Sequence, residues 1–171
     1  MKAWTLLLPL ALVACGDKTE DTASESEETT ETAFAPQEGG WDVTEPVVTE
    51  DSCGMGEEET TGEGTVATLT LTGDATYSFA IGEEGDSMTF TCTLAGMDLT
   101  CDPISESESE PEADMTFTTT FSVSTTFSSE TELAGNLGMD MSCEGADCAM
   151  LEQFGMTMPC GVAFEFTATA Q

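Results

Sequence analysis

Histidine and arginine are both absent from the 171 residues. Only Lys2 and Lys18 are cationic, against 34 aspartates and glutamates, so the net charge is −32. These absences exclude whole classes of chemistry. Without histidine there is no imidazole base for a hydrolase triad, and without arginine no guanidinium clamp for a phosphate or carboxylate. A chain with almost nothing to neutralise phosphates repels nucleic acid and anionic headgroups. Nor is there a stretch of about 20 apolar residues of the kind a membrane-spanning helix requires. The expectation is a non-enzyme with no cofactor and no nucleic-acid partner. Its acidity suits solubility, a saline medium, weak divalent-cation association or contact with another protein.

Cysteine is plentiful by comparison, with seven residues. The first, Cys15, ends the segment MKAWTLLLPLALVAC, in which Lys2 precedes an apolar run from Ala3 to Ala14. A basic start and a short apolar core are the features of an export signal. Leu12-Val13-Ala14-Cys15 resembles the lipobox of bacterial lipoproteins, and the resemblance implies cleavage before Cys15 and a lipid on its thiol. Residues 1–14 are then a signal peptide, and the chain meets the membrane through Cys15. Gly16 rather than aspartate follows Cys15. By analogy with enteric lipoproteins, this implies an envelope location at the outer membrane. Setting Cys15 aside leaves Cys53, Cys92, Cys101, Cys143, Cys148 and Cys160, an even set that reads as a disulfide framework in an exported chain.

Residues 15–38 after the lipid site are rich in Ser, Thr and Glu, with no apolar periodicity, and read as an acidic disordered tether. A neutral flexible chain of that length would reach roughly 25–30 Å. From 39 to 171 the pattern changes to short alternating runs, which predict an all-β, antiparallel meander of about eight strands closed as a small barrel or folded as a sandwich. The runs are Trp41–Val48, Thr65–Thr72, Thr76–Ile81, Met88–Ala95, Asp98–Cys101, Met115–Phe127, Leu133–Cys143 and Cys160–Thr169. One short helix is expected at Ala149–Phe154, capped by Asp147 and ended by Gly155.

Register follows from parity. A connection at Gly73-Asp74-Ala75 pairs Leu71 with Tyr77 and Leu69 with Phe79, and a fold about Ser128–Glu132 sets Phe121 opposite Met139 and Phe117 opposite Cys143. A two-residue turn at Gly96-Met97 pairs Leu94 with Leu99 and Cys92 with Cys101. Counted outward from that turn, the cysteines occupy a non-hydrogen-bonded pair, where Cα atoms approach to about 4.5 Å, so a Cys92–Cys101 disulfide is expected. The pairing of Cys53, Cys143, Cys148 and Cys160 stays open among three arrangements. Gly39-Gly40-Trp41 resembles the G-x-W that opens the first strand of lipocalins, while a core role for Trp41 accounts for the same residue.

Few constellations carry chemistry. Gly85-Asp86-Ser87-Met88 resembles the nucleophile block of GDS-type hydrolases, but that family needs a histidine, so the segment reads as a turn before a strand. The carboxylates of Gly56–Gly64 and Asp102–Asp114 lack a calcium-loop spacing and read as solvated loops. A short repeat, GMDMSC at 138–143 and GMTMPC at 155–160, places Met139, Met141, Met156 and Met158 beside cysteines. Thioethers and thiolates are soft ligands that select Cu(I), whereas methionine also fills irregular cores. The function expected is a non-catalytic structural or interaction module, with a barrel binding a small ligand or Cu(I) as the alternative.

Overall fold

Threonine, phenylalanine and valine alternate through most of the folded part, and β-branched and aromatic side chains favour the pleated backbone. The computed structural model describes residues 34–54, 65–83, 86–110 and 112–171, all within the unit Ala33–Gln171. The described residues form ten strands: β1 (Gly39–Val43), β2 (Val47–Asp51), β3 (Val66–Gly73), β4 (Thr76–Glu83), β5 (Asp86–Ala95), β6 (Asp98–Cys101), β7 (Ile104–Glu110), β8 (Met115–Ser129), β9 (Glu132–Glu144) and β10 (Cys160–Ala170). A 3-10 helix spans Ala146–Phe154 between the last two strands.

Every pairing is antiparallel. The order β1-β3-β4-β5-β6-β8-β9-β10 returns to β1, closing eight strands into a barrel. Closure removes free edges from these eight strands where they meet, and it resolves the choice between barrel and sandwich. The two extra strands arise where proline interrupts a longer one. Trp41–Val48, expected as one strand, is broken before Pro46, and β1 and β2 then lie in succession along the same side of β10. In the same way β6 and β7 run in succession along β8, separated at Asp102-Pro103. Proline lacks the N–H a ladder needs, so each break falls where pairing lapses.

The expected registers all appear: Leu71 with Tyr77, Leu69 with Phe79, Phe121 with Met139, Phe117 with Cys143, and Cys92 with Cys101. The segment Asp102–Asp114, read from the sequence as a solvated loop, instead contains β7. Ser105, Ser107 and Ser109 on β7 meet Thr120, Thr118 and Thr116 on β8 through hydroxyl pairs at 2.8–2.9 Å. The helix begins earlier than expected, and its N-cap is Gly145 at φ 123° rather than Asp147. A side chain at Gly145 would run into the Asp114 carbonyl. The Asp147 carboxylate accepts the Asp114 N–H at 2.9 Å, and the Asp114 carboxylate accepts the Ala146 N–H at 3.2 Å. Gly155 ends the helix in the left-handed conformation, as anticipated.

The barrel is filled. Trp41, Leu69, Phe79 and Leu99 are fully buried, and Phe90, Phe127, Phe166, Tyr77 and Val123 belong to the same cluster. Trp41 is a core residue, edge-on to Phe127 at 5.8 Å, with its Nε1 donating to the Gln37 carbonyl at 3.2 Å. Residues 34–38, read from the sequence as the end of the tether, sit against the barrel: Phe34 packs on Phe127 at 5.5 Å, and the Glu38 carboxylate accepts the Leu71 N–H at 2.9 Å.

Candidate functional site: the sheet beyond the barrel

The three long strands β8, β9 and β10 outrun the closed barrel. Their far halves, flanked by β7 and β2, form a five-stranded sheet beyond the barrel, in the order β7-β8-β9-β10-β2. Its two faces differ because side chains alternate along each strand. One face carries the Ser/Thr hydroxyl ladder of β7 and β8 together with Asp140 and Ser142. The other continues the inward parity of the barrel and carries Phe117, Thr119 and Phe121 on β8, Met139, Met141 and Cys143 on β9, and Cys160 and Val162 on β10. These side chains are half-buried, except for the buried Cys160 and Val162. Beside β7, a recess of about 470 Å³ is lined by Phe117, Thr119 and Phe121 and by Glu106 and Glu108.

Two of the three disulfides fix this region. Cys92 pairs with Cys101 as expected, at Cα–Cα 3.8 Å, and the open question resolves as Cys53 with Cys160 and Cys143 with Cys148. Cys53–Cys160 pins the chain after β2 to the start of β10, where Ser52 adds hydrogen bonds in both directions to Gly161 at 2.8 and 3.1 Å. Cys143–Cys148 ties the end of β9 to the helix. All six sulfurs are oxidised, so none is a thiolate ligand, and this removes the cysteines from the copper set weighed from the sequence.

Of the four methionines singled out, three meet. Met139, Met141 and Met158 pack with Phe164 around a second, smaller core of Cys53, Cys160 and Val162. Met156, four residues before Cys160, is outside that cluster; its N–H donates to the Leu151 carbonyl at 3.1 Å after the helix. No group of three or more Cys, Asp or Glu side chains is placed to hold a metal ion among the described residues. Cys15, Gly85 and the carboxylates of Gly56–Gly64 lie outside the described residues. Ser87 sits in β5 opposite Gly82. The Tyr77 phenol is raised above its ordinary value by burial and then by the Glu38 carboxylate.

Sequence reasoning missed β7 and, with it, the glutamate border of the recess. The signal was present: Ile104-Ser-Glu-Ser-Glu-Ser-Glu110 has a strict period of two, the strand period, although neither serine nor glutamate favours strands.

The fold thus defines a closed, filled, eight-stranded antiparallel barrel with two added strands and three disulfides. No protein-family model, curated protein or solved structure matches the chain.

Proposed function

We propose that the chain is an exported, lipid-anchored envelope protein whose barrel is a non-catalytic interaction module. In this reading Cys15 carries the lipid at the outer membrane, and the acidic segment after it sets the module away from the bilayer. One observation carries the interaction reading: the barrel interior is occupied by Trp41, Phe79, Phe90 and Phe127, each at most 2% exposed, while the half-buried apolar face lies on the sheet beyond it. A binding barrel would need the interior empty, since ligand pockets are concave and largely preformed. The absence of histidine and arginine from the sequence supports a role without catalysis.

The test places a photo-cross-linking amino acid at Thr119, on the inner face of the sheet, and separately at exposed Thr70 on β3, in the full lipidated chain within envelopes of the source cells. A discrete protein adduct from position 119 and none from position 70 is expected. A small apolar molecule retained by the purified protein under native mass spectrometry, with no adduct at 119, would overturn the reading. In parallel, Cys15→Ser should move the protein from the membrane fraction to the soluble one.

A further inference from the structure

We propose that Met139, Met141 and Met158 form a thioether site for a soft monovalent cation, Cu(I) or its analogue Ag(I), at the junction of β9 and β10. The proposal stands independently of the anchoring and interaction reading.

The register assembles the site. Met139 and Met141 are two residues apart on β9, so they share a face, and their partners across the ladder are Val162 and Cys160. Met158 precedes β10 by two positions, and its Sδ lies 3.6 Å from Cys160 Sγ. Three methionines are thus packed against one small core, formed by the Cys53–Cys160 disulfide and Val162, from two segments 17 residues apart in the chain (141 to 158). All three are half-buried rather than sealed, so they remain in contact with solvent.

The donor chemistry narrows the ligand. The thiols here are closed as disulfides, the chain has no imidazole, and no carboxylate cluster is placed for a hard ion among the described residues. What remains is a set of neutral, polarisable sulfurs, which binds Cu(I) and disfavours Mg²⁺, Ca²⁺ and Zn²⁺. A net charge of −32 raises the local concentration of any cation around the protein, so a neutral donor set suffices to select the soft one. Methionine as mere core filler predicts the same packing but no dependence on sulfur.

The experiment uses the full mature chain in detergent, with its disulfides intact and the absence of free thiols checked by alkylation. Cu(I) is titrated anaerobically against a chromogenic Cu(I) chelator, and Ag(I) is followed by native mass spectrometry. One equivalent is expected to bind. Met139→Leu, Met141→Leu or Met158→Leu should each weaken binding by about tenfold or more, the scale on which even an outer partner acts at a metal site. Leucine is close to methionine in volume, so these variants keep the packing and lose only the sulfur. Met156→Leu, and Met150→Leu at an exposed position, should leave affinity unchanged. X-ray absorption at the copper edge should report sulfur neighbours. Equal binding by the wild type and the triple leucine variant, or a first shell of oxygen, would overturn the site. Should the triple variant fail to fold, the three single variants and the absorption spectrum decide alone.

Discussion

Individual side chains in the barrel set opposing terms. Thr125 faces inward between Val123 and Phe127, is 4% exposed, and leaves its Oγ1 without a hydrogen-bond partner. An unsatisfied buried hydroxyl costs about 1–3 kcal/mol. Thr125→Val should therefore raise stability by about 1 kcal/mol, read as a higher denaturation midpoint at unchanged slope. The neighbouring Gly135 is required by close approach: a Cβ there would collide with the Phe166 ring and meet Thr125 Cγ2 at 2.8 Å. Tyr77, the single tyrosine, gives a clean alkaline probe. Burial and Glu38 favour its neutral phenol, so its folded pKa lies above 10.0. The folded state then holds the proton that the unfolded state releases, and the associated stability is intact below pH 10.0 and is lost as pH rises through the folded pKa. Ultraviolet titration should show phenolate forming later in the native protein than in denaturant, and Glu38→Gln should narrow the gap. The Cys92–Cys101 bridge was legible at this scale because a two-residue turn fixes register by counting. The inward face of Thr125 follows from the parity it shares with Val123 and Phe127, but nothing in the sequence shows that its hydroxyl finds no partner there.

Strands and their cross-links explain which parts of the architecture could be read. Runs such as Tyr77-Ser-Phe-Ala-Ile81 and Leu133 to Cys143 declare one apolar face, and one-sided burial leaves a single tolerable register. The broken strands were harder to read. Pro46 and Pro103 mark interruptions, yet nothing local says that β2 and β7 resume pairing with the same long neighbours. That depends on β8 and β10 being longer than the barrel needs. The copper set was half legible: the repeat exposes four methionines, but only the fold separates Met156 from the other three. The disulfides differ in reach, with sequence separations of 107, 9 and 5. Chain entropy makes the longest loop worth about 4.7 kcal/mol and the short ones about 2–3. Replacing Cys53 and Cys160 together by alanine should accordingly destabilise the protein most, while the Cys143/Cys148 double variant should cost least in a denaturant titration.

For the whole molecule, charge dominates. With a net charge of −32, the folded state confines repulsion that the unfolded chain can relax. Raising ionic strength shortens the screening length from about 30 Å at 0.01 M to about 3 Å at 1 M. The midpoint of thermal unfolding should rise with NaCl over that range, and a flat or falling midpoint would show that the acidic groups are already relieved in the folded state. The proposed export and lipid on Cys15 rest on the sequence, and the proposed interaction role on the filled barrel. The disulfides join these scales: Cys53–Cys160 and Cys143–Cys148 cross-link the sheet beyond the barrel and leave thioethers as its soft donors among the described residues, and all three suit an oxidising compartment. The most direct measurement is a peptide map of the non-reduced mature chain. The account predicts Cys53 linked to Cys160, Cys92 to Cys101 and Cys143 to Cys148, with no free thiol among the six. Cys53 joined to Cys143 or Cys148, or a free thiol at Cys160, would contradict it, because β2 would lose its cross-link to β10 and a thiolate would return to the methionine cluster.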